Sequence, residues 1–276
     1  MWCWKDGEYI VQSELTISPF DHGYLYGIGF FETFRTYDGV PFLLDEHLLR
    51  LQNALDHYHM TMPYSKDELV EVITELTKRS DNRDGYFRLN VSGGNEGLGL
   101  QAKIYANPTV ILFRKELSET IAEKEAVWLE TVRSTPEQSK RFKSHHYANN
   151  IQGRQEVESL KEIEGFFLNE AGYVAEGITS NIFWVKDGQL FTPAVSTGIL
   201  NGITRQFVMK LAKELNLSVE EGEFLPSELQ LAEECFITTS IQEIIPISKI
   251  GEVNYVGAKG KVYQDLHTQY KNYRGR

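Results

Sequence analysis

The chain has 276 residues, of which 41% are apolar and 24% charged, and these values fit a globular protein of one large domain or two ordinary ones. Its formal net charge of −11 argues against a broad surface for nucleic acid or for an anionic membrane, because a phosphate footprint needs clustered Lys and Arg. The charge leaves room for a small anionic substrate, which needs only a local basic pocket.

Residues 1–115 have the pattern of a small α+β domain. Its strands are predicted at Glu8–Leu15, Phe30–Arg35, Tyr86–Val91 and Pro108–Phe113. A helix is predicted over Leu44–Tyr58, where leucines share one face and Asp45 is the expected cap. A second helix is predicted over Ser65–Arg79, because Ser65 is followed three residues later by Glu68 in the capping-box pattern.

The polar stretch Lys115–Lys124 separates two predicted domains. The small N-terminal domain covers 1–115, an interdomain linker covers 116–123, and a larger strand-rich C-terminal domain covers 124–276. Strands are predicted in this larger domain at Ala126–Val132, Gly165–Asn169, Asn181–Lys186 and Cys235–Thr238, and helices at Ala148–Leu160 and Thr204–Leu215. The predicted fold class is therefore α+β with two domains.

The two cysteines, Cys3 and Cys235, are far apart in sequence and make neither a disulfide framework nor a Cys-x-x-Cys metal motif. The segment Met1–Gly7 lacks the basic region and apolar run of a signal peptide. No apolar stretch approaches the roughly 20 residues that a membrane helix needs. We therefore expect a protein of the reducing cytoplasm without a membrane segment.

Two segments of the C-terminal domain are candidates for binding phosphate. Asn201-Gly202-Ile203-Thr204-Arg205 opens an amphipathic helix, and free N–H groups and the helix dipole favour an anion at such a start. Thr238-Thr239-Ser240 ends a strand in three hydroxyl residues, which can hydrogen-bond phosphate. On local pattern alone, an ordinary capped helix is the favoured interpretation of the first segment and a polar turn that of the second.

Lys143 is followed by the paired histidines His145 and His146. Adjacent strand positions point to opposite faces, and no Asp, Glu or Cys lies at a ligand spacing, so no metal site is predicted there. A partly buried lysine can lose its proton and act as nucleophile or base. Further along, the carboxylate of Glu176 precedes Gly177 and a Thr-Ser-Asn cluster, a pattern that by itself is typical of a β-turn.

Taken together and in order, these segments resemble the fold-type IV pyridoxal-phosphate enzymes. That family includes branched-chain aminotransferases, D-amino-acid aminotransferases and aminodeoxychorismate lyases, and the resemblance covers nearly the whole chain. It is carried by Asp21-His22-Gly23-Tyr24-Leu25-Tyr26-Gly27, Phe31-Glu32-Thr33, Leu44-Asp45-Glu46-His47-Leu48-Leu49-Arg50-Leu51, Lys143-Ser144-x-x-Tyr147, Glu176-Gly177-x-x-Ser180-Asn181-Ile182-Phe183, Asn201-Gly202-Ile203-Thr204-Arg205 and Thr239-Ser240-x-x-Glu243-Ile244-x-Pro246.

The resemblance implies an enzyme that binds pyridoxal 5′-phosphate, with Lys143 as the Schiff-base lysine and catalytic residue. It implies Glu176 on the pyridine nitrogen, where a carboxylate keeps the ring a good electron sink, and Leu200 against a ring face. The remaining cofactor-binding residues that it implies, most of them around the phosphate, are Arg50, Ser180, Asn181, Ile203, Thr204, Thr239 and Ser240.

Substrate-binding residues are expected at Tyr26, Arg88, His145 and Tyr147. Arg88 would point into the site if Tyr86 and Asn90 share its face of the strand. The alternative is an ordinary surface arginine on a strand.

The resemblance favours an aminodeoxychorismate lyase, which converts 4-amino-4-deoxychorismate to 4-aminobenzoate and pyruvate in the synthesis of a folate precursor. The strings Lys143–Tyr147, Phe87–Gly94 and Gly97–Gln101 look most like Gram-positive-type lyases. Branched-chain enzymes usually show Asn-Tyr after the lysine, and D-amino-acid enzymes often show Arg-Gly where this chain has Ser92-Gly93-Gly94.

A transaminase of branched-chain or D-amino acids is the alternative function, and a non-catalytic binding protein on the same scaffold is a remote one. The family also implies a homodimer. The loop Gly94–Asn107 is the segment expected to reach the partner's site.

Overall fold

The computed structural model describes residues 1–100 and 103–274. The chain divides into two compact units. The first comprises Met1–Ser118 together with Phe142–His146, and the second comprises Glu119–Arg141 together with Tyr147–Arg276. Gln101, the last residue of one of the family-like strings, lies outside the described residues.

The first unit is built on a six-stranded antiparallel sheet with helices beside it. Its strands are β1 (Trp2–Lys5), β2 (Glu8–Val11), β3 (Gly29–Tyr37), β4 (Val40–Pro41), β5 (Gly85–Ser92) and β6 (Thr109–Glu116). They lie in the order β2-β1-β6-β5-β3-β4. Its helices are α1 (His22–Tyr26), α2 (Leu44–His57) and α3 (Lys66–Lys78).

The two faces of this sheet differ in chemistry because side chains alternate along each strand. Phe30 and Phe34 of β3 pack with Phe87 of β5 and with buried residues of α2 and α3, and these form the core of the unit. On the opposite face, Arg88 of β5 pairs in register with Thr33, and Asn90 pairs with Phe31. Arg88 and Asn90 therefore share a face, as the predicted orientation of Arg88 requires.

Some local predictions in this unit are confirmed and others are wrong. The capping box is present, since Glu68 N–H donates to Ser65 Oγ and Ser65 N–H donates to the Glu68 carboxylate. Asp45 is not the cap of α2, because the helix begins one residue earlier, at Leu44. Asp45 lies inside the first turn, where a carboxylate is favoured by the helix dipole, and pairs with Lys66 at 2.6 Å.

The predicted strand Glu8–Leu15 ends at Val11, because the chain turns into a 3-10 helix over Gln12–Glu14. Strand β1 and the short helix α1 were not predicted. Both are four or five residues long, which is too short to show a hydrophobic period in sequence.

The second unit is built on a nine-stranded mixed sheet. Its strands are β7 (Lys124–Trp128), β8 (Ile163–Leu168), β9 (Val174–Gly177), β10 (Asn181–Lys186), β11 (Gln189–Pro193), β12 (Val219–Gly222), β13 (Glu234–Thr239), β14 (Glu243–Ile250) and β15 (Val253–Asn254). They lie in the order β12-β11-β10-β13-β14-β7-β8-β9, with β15 paired to β14. Its helices are α4 (Ala148–Gln155), α5 (Ile203–Glu214), α6 (Pro226–Leu229) and α7 (Lys261–Arg274).

Several elements of this unit were not predicted, namely strands β9, β11, β12, β14 and β15 and helices α6 and α7. Strand β14 contains Pro246, which weakens a strand pattern. Helix α7 buries only Tyr263, Leu266 and Tyr270, so its apolar stripe is narrow and its sequence reads as polar. No helix in 1–100 or 103–274 is long and apolar enough to cross a membrane.

The segment Phe142–His146 belongs with the first unit, whereas the domain prediction assigned it to the larger C-terminal domain. Phe31 N–H donates to Lys143 C=O and His145 N–H donates to Gly29 C=O, each at 2.9 Å. These bonds add the segment to the edge of β3 as a short antiparallel bridge. Lys143 is thus placed by a strand more than a hundred residues upstream, which local sequence cannot indicate.

Candidate active site

The candidate residues fall into two groups, one in each unit. In the first unit, Lys143 Nζ lies 4.7 Å from the ring centroid of Phe31, and the Arg88 guanidinium carbon lies 3.7 Å from the same centroid. The ring of His145 is 6.2 Å from that of Phe31. Three residues predicted separately for chemistry and substrate binding therefore surround one buried aromatic ring of β3.

The hydrogen bonds around Asn90 define the tautomer of His145. Arg88 Nε donates to Asn90 Oδ1 at 3.2 Å, and an arginine nitrogen is only ever a donor. His145 Nε2 lies 3.2 Å from the same oxygen, so it must carry the proton and donate. Burial, together with the Arg88 charge, lowers the pKa of His145 to about 4. His145 is therefore neutral at pH 7, with its proton on Nε2.

The glycine at position 29 makes room for this histidine. A Cβ atom built on Gly29 would lie 2.3 Å from His145 Nδ1, far inside van der Waals contact. Any larger residue at this position of β3 would have to displace the imidazole of His145.

Arg50, the predicted phosphate ligand of the first unit, is bound to Glu32. Its Nε and Nη2 donate to the two carboxylate oxygens at 2.7 and 2.6 Å, and His47 Nδ1 donates to the same carboxylate at 2.7 Å. Burial would raise the pKa of Glu32, but the charge and hydrogen bonds of Arg50, with those of His47, lower it to about 2. Contact of Arg50 with a phosphate stays a prediction.

Tyr26, predicted to bind substrate, is tied to the loop that follows β5. Its hydroxyl accepts the N–H of Gly99 at 2.8 Å. The neighbouring His22 is buried, with its ring nitrogens 3.1 Å from Tyr105 Oη and 3.2 Å from Gly97 C=O. Helix α1 thus anchors this loop, and a role of Tyr26 in substrate binding stays a prediction.

In the second unit, Glu176 lies buried near the end of β9. Its Oε1 accepts a hydrogen bond from Arg133 Nε at 2.9 Å and forms an ion pair with Arg133 Nη2, also at 2.9 Å, and Arg141 Nε lies 3.7 Å away. Its Oε2 accepts the backbone N–H of Leu200 at 2.9 Å and faces Asn181 Nδ2 at 3.5 Å. A buried carboxylate with partners on both oxygens has a fixed orientation.

Sequence reasoning missed Arg133 and Arg141. Arg133 is 4% exposed and also donates through Nη1 to Asn149 Oδ1 at 2.6 Å. Arg141 Nε donates to Gly198 C=O at 2.7 Å. Burial, then the Arg133 charge, lowers the pKa of Arg141 to about 10. Each arginine lies in a polar stretch whose local sequence does not indicate a partner. Arg133 precedes Glu176 by 43 residues and Arg141 precedes it by 35, so only the fold brings them together.

The predicted cofactor residues Asn181 and Leu200 are joined to each other. Asn181 Nδ2 donates to Leu200 C=O at 2.8 Å. A Cβ atom on Gly202 would lie 2.1 Å from Asn181 Oδ1, so glycine is required for the loop to pass this close. Asn181 therefore holds the loop in which Leu200 offers its N–H to Glu176.

The two predicted phosphate segments meet in the second unit. Helix α5 begins at Ile203 without a side-chain cap, so its first N–H groups remain available to an anion. Thr204 Oγ1 lies 3.4 Å from Ser240 Oγ, just past the end of β13. Thr239 Oγ1 accepts the Gln242 N–H at 2.8 Å and so shapes this turn. The donors gathered here, hydroxyls and helix N–H groups, are those that bind phosphate.

Arg205, the basic residue of the Asn-Gly-Ile-Thr-Arg motif, is buried and forms hydrogen bonds that stabilise this loop. It is 1% exposed and donates to Asn201 Oδ1 at 3.0 Å, to Pro193 C=O at 2.9 Å and to Glu221 at 2.5 Å. Its charge is thus paired with that of Glu221.

The two remaining predicted residues are Ser180 and Tyr147. The Ser180 hydroxyl donates to the buried carboxylate of Glu164 at 3.1 Å, so its bond in this structure is to the protein, and binding of the cofactor by Ser180 stays a prediction. Tyr147 lies half-buried at the position before α4. No group of three or more His, Cys, Asp or Glu in the described part of the chain could hold a metal ion.

Comparison with known proteins identifies the family. The family model for amino-transferase class IV matches residues 29–250. The chain belongs to the class IV aminotransferase family. The predicted family, fold class and cofactor are thereby confirmed, since this family is dependent on pyridoxal phosphate.

Individual class IV relatives span almost the whole chain. An aminodeoxychorismate lyase of Bacillus subtilis is 44% identical over 96% of this chain and 92% of its own length. A putative branched-chain-amino-acid aminotransferase of Methanocaldococcus jannaschii is 35% identical over 98% and 95%. The solved structure of a branched-chain amino acid aminotransferase from Escherichia coli has a TM-score of 0.88 at 28% identity, and the match covers 98% of this chain and 93% of that one.

The residues present fit the cofactor of the family. Lys143 supplies an amine, Glu176 supplies an oriented carboxylate for a ring nitrogen, and Thr204 with Ser240 supplies hydroxyls beside an uncapped helix start. The protein is therefore a class IV enzyme that binds pyridoxal phosphate and a small substrate, with lyase and aminotransferase as its possible reaction types.

Proposed function

We propose that this class IV enzyme is an aminodeoxychorismate lyase, which cleaves 4-amino-4-deoxychorismate to 4-aminobenzoate and pyruvate. The observation that carries the proposal is the 44% identity with the Bacillus subtilis lyase over 96% of the chain. The aminotransferase of Methanocaldococcus jannaschii reaches 35% over a similar span.

We assign the cofactor-binding residues by their chemistry. Lys143 would hold it covalently, Glu176 would bind its ring nitrogen, and Leu200 would pack on its ring. Thr204, Ser240 and the N–H of Ile203 would bind its phosphate, together with Arg50 and Thr239, while Ser180 and Asn181 complete the assigned set. When bound, the cofactor supplies an electron sink for negative charge at the reacting carbon.

The proton chemistry falls to Lys143. Its Nζ is the assigned base that takes a proton from the substrate ring. The C–O bond to the enolpyruvyl group then breaks, and the departing enol gains a proton at its methylene carbon and leaves as pyruvate. Aromatisation of the ring to 4-aminobenzoate drives the reaction. The amino group stays on the product, so no 2-oxo acid is consumed.

The substrate carries two carboxylates, and Arg88 is the assigned cation for one of them. Its guanidinium lies on the ring of Phe31, as does the Lys143 amine, so a charged partner and a base share one apolar platform. His145 is neutral and bonded to Asn90, and therefore shapes this face without adding a second charge. Tyr26 and Tyr147 complete the assigned substrate set.

A transaminase of branched-chain or D-amino acids is the second candidate. It is favoured by the TM-score of 0.88 to the Escherichia coli branched-chain aminotransferase. Such an enzyme must bind two substrates in turn, and the sequence departs from both aminotransferase patterns after Lys143 and at Ser92-Gly93-Gly94. A non-catalytic binder is disfavoured, because it would have no need of Lys143 or of the oriented Glu176.

One assay separates these functions. The purified enzyme, supplied with pyridoxal phosphate and 4-amino-4-deoxychorismate alone, should release equal amounts of 4-aminobenzoate and pyruvate. Arg88→Leu should lower kcat/KM about 10- to 100-fold, the loss expected for one charge-assisted hydrogen bond. Arg83→Leu removes an exposed arginine two residues before the start of β5 and should leave kcat/KM unchanged. No 4-aminobenzoate, with turnover of an amino acid and 2-oxoglutarate, would sink the lyase proposal.

A homodimer is the proposed assembly. The loop expected to reach the partner carries two strongly exposed apolar side chains, Leu98 at 72% and Leu100 at 82%. Exposed leucines close together are typical of an interaction surface. Light scattering should give a molar mass of twice the 31.7 kDa chain, and a monomer at catalytic concentrations would contradict this assembly.

A further inference from the structure

Strand β8 carries a buried carboxylate that the reaction does not use. Glu164 is 2% exposed, and a carboxylate is rarely buried without several partners. Its Oε1 accepts the N–H groups of Ile178 at 3.1 Å and Gly165 at 3.2 Å. Its Oε2 accepts the Ser180 hydroxyl at 3.1 Å. Two of these three donors belong to the turn that follows Glu176.

That turn is built around the Glu164 carboxylate. Gly177 N–H donates to Ser180 C=O at 2.8 Å and closes it. A Cβ atom on Gly177 would lie 2.1 Å from Ser180 Oγ and 3.1 Å from Glu164 Cδ. The Gly and Ser of the Glu-Gly-x-x-Ser motif are therefore explained by their contact with Glu164.

The same turn is also connected to Glu176 by hydrogen bonds of Asn150 and Arg133. Ile178 C=O accepts Asn150 Nδ2 at 2.6 Å, and Asn150 Oδ1 accepts Arg133 Nη1 at 3.2 Å. Arg133 in turn binds Glu176. A continuous set of buried hydrogen bonds thus connects the Glu164 carboxylate, through Ile178, to the Glu176 carboxylate.

We propose that Glu164 is a positioning residue for Glu176. By holding Ile178 and Ser180, it fixes the turn so that the Glu176 carboxylate meets the ring nitrogen of the cofactor. This inference rests on the proposed role of Glu176.

Glu164 acts here as a hydrogen-bond acceptor at a fixed place, and its charge is not what the turn requires. Burial raises the pKa of Glu164, and the buried ammonium of Lys124 and the N–H and O–H donors of the turn oppose that rise. A glutamine would keep an acceptor for the Ile178 N–H, and its amide could donate to Ser180 Oγ. Glu164→Gln should therefore preserve the turn, whereas Glu164→Ala removes all three bonds.

The test measures the cofactor as well as turnover. Glu164→Ala should weaken pyridoxal-phosphate binding about tenfold or more, because the Ser180 hydroxyl loses its acceptor and the Ile178 N–H keeps only Gly165 C=O at 3.0 Å. It should also shift the pH midpoint of the visible absorption of the bound cofactor, because the group that titrates is conjugated with the ring nitrogen. Glu164→Gln should keep the cofactor affinity within about threefold of wild type, a difference smaller than the energy of one hydrogen bond. It should also keep the wild-type pH midpoint. Glu162→Ala, at an exposed position two residues away, serves as the matched control.

Glu176→Gln, measured in the same assays, separates the assigned role of Glu176 from the proposed role of Glu164. If it alters the absorption midpoint and Glu164→Ala lowers only the unfolding temperature, Glu164 is merely structural and this inference is overturned. The same holds if a folded Glu164→Gln is as impaired as Glu164→Ala. If Glu176→Gln leaves affinity and midpoint unchanged, the assigned role of Glu176 fails and the inference fails with it.

Discussion

Arg133 binds a single oxygen of Glu176 with two of its nitrogens, each at 2.9 Å, and both side chains are almost completely buried. The second oxygen of Glu176 faces the Leu200 N–H. One carboxylate oxygen of Glu176 is therefore bound by an arginine, and the other accepts a hydrogen bond from the loop before α5. Orientation of this kind matters in an enzyme because small displacements of a binding group cost large factors in rate.

Removal of Arg133 should destabilise the protein before any cofactor binds. Arg133→Met leaves the buried Glu176 carboxylate without its main partner, and breaking a buried ion pair costs about 3–5 kcal/mol. Urea unfolding of the cofactor-free protein should show this loss. Arg83→Met, at an exposed arginine paired with Asp81 and Glu116, should stay within about 0.5 kcal/mol of wild type. Equal stability of the two variants would contradict the buried pairing.

Lys143 and Lys140 provide the sharpest comparison for the reaction. Lys143→Ala should remove the visible absorption of covalently held cofactor and lower kcat by about 10³-fold or more, because it deletes both the attachment point and the base. Lys140→Ala, at an exposed lysine three residues away, should leave both unchanged. Loss of both properties in the Lys140 variant instead would mean that the wrong lysine has been assigned.

The Glu32–Arg50 pair should make the protein sensitive to acid. The pKa of Glu32 is lowered to about 2 in the folded state from 4.5, so its contribution is fully present above pH 4.5 and is lost as pH falls towards 2. That shift corresponds to on the order of 3 kcal/mol. Unfolding by urea between pH 7 and pH 2.5 should show a flatter acid limb for Glu32→Gln than for wild type. Glu71→Gln, at an exposed position of α3, should retain the wild-type slope.

Some features of this protein follow from short stretches of sequence. The Ser65–Glu68 capping box formed as predicted, because both partners lie within one helical turn. Strand β10 has the predicted bounds, Asn181–Lys186, because its residues are almost all apolar and follow turn residues. The helix start at Ile203 came within one residue of its prediction for the same local reason.

The ordered motifs went further and determined the family and its cofactor, and the family match confirms both. Motif order reports which chemical groups are present. It cannot report which of them are close, because a polar residue such as Arg133 or Glu164 has the same local sequence whether it is exposed or buried.

Only the tertiary structure decided how the candidate groups are held. The edge of β3 receives Lys143, Arg133 grips Glu176, and Glu164 supports the turn behind it. These contacts join residues 14 to more than 100 positions apart in the chain. They exist because burial leaves each polar group needing a partner that the fold alone can bring to it.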